Sequence, residues 1–214
     1  NTIEDLEQTD DGSFATLNGI LFDADNQDPG TITNVRVADN DIRNLDSTTA
    51  PLGVVVQHNA VSVTIEENHI SKLTADNSFG PGSSTTFAQG ISIDSPSTDD
   101  FDIEDNTIEE VVSNDGFFGE DIKIESQVDV SGIEVLENNL LSAIGLNNAD
   151  GSNPVIEAEN NFWGDEDGPF VIENNDDDGD VPVPGGGSEV DLETVDASAV
   201  TENVDFTPAA SSSQ

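Results

Sequence analysis

The sequence predicts an all-β chain wound into a right-handed parallel β-helix, a solenoid of about five to six coils. Three observations predict it. One pattern recurs around an asparagine, a short β-rich run precedes each copy, and no apolar period of helical spacing persists over the length of a helix.

The pattern reads apolar, any, apolar, any, any, Asn, any, apolar, any, any, apolar. It fits VRVADNDIRNL (35–45), VTIEENHISKL (63–73), FDIEDNTIEEV (101–111) and IEVLENNLLSA (133–143). A fifth copy, IEAENNFWGDE (156–166), fits up to Trp163 and then breaks. The preceding runs are GILF (19–22), GVVV (53–56), GISI (90–93), DIKI (121–124) and AIGL (143–146). Alternation over a few residues with a break at the Asn reads as strand, tight turn, strand. Val, Ile and Phe suit a half-buried pleated surface.

Three short strands make one coil, and a coil buries its inward face only by stacking on neighbours about 4.8 Å away. Equivalent positions then form rows. Val35, Val63, Phe101, Ile133 and Ile156 form one inward row, and Val37, Ile65, Ile103, Val135 and Ala158 the next. Ile3, Ile42, Ile70, Ile108, Leu140 and Trp163 form a third. The opening NTIEDL matches the Asn turn and third strand of the repeat, with Leu6 beside Leu45 and Leu73. The chain is therefore expected to begin mid-coil, as part of a longer polypeptide. An earlier coil or another chain would supply the two missing strands.

The asparagines Asn40, Asn68, Asn106, Asn138 and Asn161, with Asn1, are expected to be structural. Asn tolerates a left-handed backbone and can bond its own backbone. Stacked asparagines can also bond along a ladder.

NFWGDEDGPF (161–170) closes the array, and NVDFTP (203–208) follows after a variable stretch. Here the chain resembles the secreted archaeal and bacterial right-handed parallel β-helix repeat proteins of the pectate-lyase-like superfold, in a haloarchaeal type. Their last coil reads Asn-x-Trp-Gly, an acidic stretch, then Gly-Pro, and they return with Asn-Val-Asp-Phe/Tyr-Ser/Thr-Pro. Asn161, Trp163, Gly164, Gly168 and Pro169 carry the first motif. The resemblance implies the fold and a terminal cap. It leaves function open, because the group spans carbohydrate-active enzymes, copper-related accessory proteins and surface proteins. Physically, Trp163 can plug the open end of the stack. The expected division is a β-helix over 1–170, then an acidic Gly/Pro-rich loop, return segment and Ser-rich end over 171–214. Weak alternation near 190–195 allows one covering strand.

Composition narrows the setting. There are 46 acidic residues against four basic ones, for a formal net charge of −42. Such self-repulsion opposes compaction in dilute buffer, and at about 1 M salt the Debye length falls to about 3 Å. The chain therefore reads as a halophile's protein, and the resemblance to secreted β-helix proteins implies an extracellular, cell-surface setting. No basic patch exists to release counterions from nucleic acid. With no Cys, disulfides and thiolate metal sites are excluded. No apolar run reaches the roughly 18 residues of a membrane span.

Chemistry is harder to find. Uronate lyases of the β-helix class use an Arg or Lys base beside carboxylate-held calcium. Arg36 and Arg43 fall on outward positions of one coil, while Lys72 and Lys123 lie in others, so all four read as solvent-facing charges. Hydrolases of the fold use paired aspartates, a His and a basic clamp. Asp99 and Asp100 form a pair, but the Asn-Thr-Asp and Gly-His-Gly motifs are absent, and His58 and His69 have no partner evident from spacing.

No cofactor is required, and Ca²⁺ is the candidate ion. Asp39, Glu67, Asp105 and Glu137 should stack in one row and Glu66 and Glu104 in another, repelling each other and gathering cations. Asn174, Asp176, Asp178 and Asp180 in NNDDDGD resemble the first half of a calcium loop, though Gly185 stands where its twelfth-position Glu belongs.

Loops over 7–18, 46–52, 74–89 and 112–120 are expected along one edge. They carry Phe14, Phe79, Phe87, Phe117 and Phe118, either a binding surface or rings folded back on the flank. The favoured function is a non-catalytic structural or adhesive module of a surface or filament protein, its partners copies of itself or other such proteins. A polysaccharide lyase or glycoside hydrolase is one alternative, and a carbohydrate-binding module another.

Overall fold

The computed structural model describes residues 1–8, 16–23, 31–76, 87–95, 100–113, 119–125, 128–149, 156–164, 169–172, 199–201, 204–205 and 213. The Asn pattern and the β-rich runs before it become strands of repeating coils. The first coil holds β1 (Thr2–Gln8), β2 (Thr16–Asp23) and β3 (Ile32–Ala38). The second holds β4 (Asp41–Ser47), β5 (Ala50–Gln57) and β6 (Ala60–Glu66), and the third β7 (His69–Ala75), β8 (Gln89–Asp94) and β9 (Phe101–Glu104). The fourth holds β10 (Thr107–Ser113), β11 (Glu120–Ile124) and β12 (Ile133–Leu136). The fifth holds β13 (Asn139–Leu140), β14 (Ile144–Asn148) and β15 (Ile156–Glu157). The last strands are β16 (Phe170–Ile172), β17 (Ala199–Thr201) and β18 (Val204–Asp205).

The strands assemble into three parallel sheets, a parallel β-helix. Sheet A runs β1-β4-β7-β10-β13, sheet B runs β16-β17-β14-β11-β8-β5-β2, and sheet C runs β18-β15-β12-β9-β6-β3. The return segment enters sheet B out of sequence order, since β17 lies between β14 and β16. In sheet C, Val204 of the return motif pairs with Ile156.

The expected rows form in register. Ile3 pairs with Ile42, Ile42 with Ile70, Ile70 with Ile108, and Ile108 with Leu140. Val63 pairs with both Val35 and Phe101, and Phe101 with Ile133. Ile42, Ile70, Ile65, Phe101 and Val135 are fully or almost fully buried in the resulting core. The bridge from Asn139 to Phe162 carries sheet A one coil further and sets Trp163, wholly buried, beyond Leu140.

The corner from sheet C to sheet A is two residues long in the first four coils, such as Asp39-Asn40 and Glu67-Asn68, and four residues long, 158–161, in the fifth. Its left-handed residue is not the Asn. It is the residue before, Asp39, Glu67, Asp105, Glu137 and Asn160, with φ between 53° and 59°. This corrects the expected reason for the Asn. The Asn side chain is needed to bond the corner, and the residue before it, acidic in the first four coils and Asn160 in the fifth, carries the strained backbone. Another correction concerns 46–52: β4 and β5 occupy most of it, leaving only Thr48-Thr49 as the turn.

Three glycines in sheet B mark where coils approach most closely. A Cβ on Gly53 would lie 2.4 Å from the Gly90 carbonyl oxygen and 2.8 Å from Ile70 Cγ2. The first obstacle is backbone of the next coil, which moves only if the coils separate. Gly53→Ala is therefore expected to destabilise the fold by about 2–3 kcal/mol, read as a lower urea midpoint. An unchanged midpoint would show that the coils can part at little cost.

Candidate functional site

Each sheet presents an outer face with its own polar chemistry. On sheet A, positions just after the ladder Asn and three beyond it converge across coils. Arg43 donates from Nε to Glu4 Oε2 at 2.8 Å, and its Nη1 lies 2.8 Å from Asp41 Oδ2. Asp41 Oδ1 lies 3.5 Å from His69 Nδ1, and His69 Nε2 lies 3.1 Å from Glu109 Oε1. Glu4, Arg43, Asp41, His69 and Glu109 thus form a chain of charge across four strands, all partly exposed. The second histidine is also paired, His58 Nδ1 lying 2.6 Å from Asp23 Oδ1. Spacing had left both histidines without partners, and the register supplies them.

Sheet B is different, because its polar network is buried. Glu120 accepts from Gln89 Nε2 at 2.8 Å and from Lys123 Nζ at 3.2 Å, and Asn147 Nδ2 also donates to it. The Lys123 and Glu120 side chains are only 15% and 11% exposed, so Lys123 is not the solvent-facing charge its sequence context suggests. Burial raises the Glu125 carboxyl above its usual range, opposed by Lys123 and reinforced by Glu120 and Asp94. Lys123→Met strands the Glu120 carboxylate and is expected to cost about 2 kcal/mol, with Glu120→Gln in the same chain restoring most of it. Urea denaturation of the two variants checks this, and equal losses in both would contradict it.

Sheet C carries the acidic rows. Glu66 pairs in register with Glu104, and Asp102 with Glu134, which in turn pairs with Glu157. Partial burial raises the Asp102 carboxyl, followed by repulsion from Asp100 and Glu66. Glu104 is raised by burial, then by Asp102, Glu66, Asp105 and Glu137. Arg36 answers part of this charge through an ion pair with Glu66. Among the described residues no three His, Asp or Glu side chains are grouped as a metal set.

The cations are therefore dispersed: Arg43 and exposed Lys72 on sheet A, Lys123 on sheet B and Arg36 on sheet C. The asparagines bond in a continuous ladder. Nδ2 of Asn1, Asn40, Asn68, Asn106 and Asn138 each donates to Oδ1 of the next, at 2.9–3.1 Å. Phe87 is half-buried just before β8, and its amide donates to Thr49 O. Phe14, Phe79, Phe117 and Phe118 lie outside the described residues, as do Asn174, Asp176, Asp178, Asp180 and Asp99. No described helix is long and apolar enough to cross a membrane. Comparisons of the chain with family models, with curated proteins and with solved structures return no match.

Proposed function

We propose that the chain is a rigid, non-catalytic structural or adhesive module of a halophile's extracellular surface or filament protein. The observation that carries this reading is the unbroken asparagine ladder from Asn1 to Asn161. Every coil is tied to the next by the same side-chain bonds and the same apolar rows, which suits a load-bearing rod. The outer faces support the reading too, since cross-coil ion pairs such as Arg43 with Glu4 and Arg36 with Glu66 brace neighbouring strands. Acidic rows on sheet C suit a surface bathed in concentrated salt, where cations gather along the carboxylates. Calcium is one such cation and is not required for the rod.

Circular dichroism across a salt series tests the setting, with folding expected to strengthen from about 0.1 M to about 3 M salt. A panel of acidic and neutral polysaccharides in molar salt tests the role. Turnover of any of them overturns the non-catalytic reading.

One observation favours a second reading, a glycan hydrolase. Asp41, His69, Glu109 and Arg43 bring carboxylates, an imidazole and a guanidinium to one face of sheet A. On that reading Glu109→Gln and His69→Ala each abolish turnover and leave folding intact.

A further inference from the structure

We propose that Asp121 is a proton-held latch closing the corner where the fourth coil meets the fifth. Asp121 occupies the sheet B position held in the earlier coils by Gly19, Gly53 and Gly90, a position that faces sheet A of the next coil. In those coils a Cβ there would run into Ile42, Ile70 or Ile108. In the fifth coil the sheet A strand is only Asn139–Leu140, against seven residues in β4, β7 and β10, and the chain turns early through Ser142 into β14. The row of Ile42, Ile70 and Ile108 continues there as Leu140, which has no Cγ2 methyl, and the Asp121 carboxyl lies beside the early turn just beyond it.

That carboxyl ties the corner. Asp121 Oδ2 accepts from Ser142 N at 3.0 Å, and the Ser142 hydroxyl bonds it as well. Ser142 Oγ in turn accepts from Val111 N at 3.0 Å, on the coil below. The residue is wholly buried, and Oδ1 has no hydrogen-bond partner. Among the described residues no Lys, Arg or His forms an ion pair with Asp121; on its own strand Lys123 is paired with Glu120. The charge that reaches it is Glu109 of β10, which is repulsive. A carboxylate here would bury a charge with one oxygen unsolvated, whereas a carboxylic acid keeps the Ser142 bonds and carries no charge.

Burial, first, and then Glu109 hold this carboxyl well above its usual range, against the opposing pull of the Ser142 and Leu141 donors. The sign follows from linkage. An acid whose folded value is raised stabilises the closed corner fully below its unfolded value, about 3.9 for Asp. That stability is lost as pH rises from there through the folded value, because opening releases a proton.

Amide hydrogen exchange on the whole chain in molar salt tests the latch. After correction for intrinsic rates, protection of Ser142 and Val111 should fall by about tenfold per pH unit above about pH 4, until Asp121 ionises. Asp121→Asn keeps the acceptor for Ser142 N and cannot ionise, so its protection should be flat across that range. Asp121→Gly, which restores the residue of the earlier coils, should be flat too. Equal pH slopes in all three chains overturn the proposal. So does a carbon-13 carboxyl shift showing Asp121 already ionised in the unaltered chain at about pH 5, a readout independent of whether either variant folds.

Discussion

Asn106→Ala is expected to lower the unfolding free energy by about 3–5 kcal/mol, because each buried polar group left unpaired costs about 1–3 kcal/mol. Asn106 is fully buried in the middle of the ladder. Its Oδ1 accepts from Asn68 N at 3.0 Å and Asn68 Nδ2 at 2.9 Å. Its Nδ2 lies within bonding distance of Ile65 O, Glu104 O and Asn138 Oδ1. Truncation takes the acceptor from the buried Asn68 backbone amide and Nδ2, and a donor from the Ile65 and Glu104 carbonyls and from Asn138 Oδ1. Because neighbouring coils stabilise each other, cutting the stack at its centre should also divide unfolding into two parts, seen as a smaller urea m-value. Asn106→Asp keeps the shape but turns a donor into a charged acceptor facing three acceptors, and should be at least as damaging. A loss under about 1 kcal/mol for the alanine variant would mean that the ladder is a consequence of stacking and not a cause of it.

Trp163→Ala carries the other large effect, also about 3–5 kcal/mol. The indole is wholly buried beyond Leu140 and ends the row that starts at Ile3. Removing it leaves a cavity at the top of the core. Its Nε1–H is buried without a hydrogen-bond partner, so the ring acts here as an apolar plug whose polar atom is a burden. Trp163→Phe should accordingly cost no more than about 1.5 kcal/mol, since it gives up some contact area but removes the orphaned donor. Thermal and urea unfolding of both variants decide the matter. Equal losses in Phe and Ala would assign the role to the indole nitrogen instead of to volume.

The scaffold was legible because its signal is repetitive. Apolar residues at fixed offsets from an Asn can be aligned by eye, and the register of Val63 with Phe101 or Ile70 with Ile108 follows from that alignment alone. The polar faces were less legible. Asp41 and His69 share one offset, the residue after the Asn, and Glu109 sits three past its own Asn, so reading offsets for polar residues as well as apolar ones would have joined them. Burial of Lys123 left no such trace, since alternation separates inside from outside but does not say which outer face is covered. The Asn was expected to take the left-handed backbone itself, and the residue before it takes it instead. Many carboxylates precede these asparagines in a chain with 46 acidic residues, so Asp39 or Glu67 looked like composition and not like a corner position.

The asparagine ladder has one more property, its polarity. In every step from Asn40 to Asn138 both the backbone N–H and Nδ2 point toward Oδ1 of the coil above. The amide dipoles are therefore aligned head to tail, and each bond polarises the next. The rod is vectorial: at each ladder step the donors face one end of the stack and the accepting Oδ1 faces the other. A further coil continues the ladder in register only if its asparagine points the same way, so the bond pattern gives the stack one sense along its whole length.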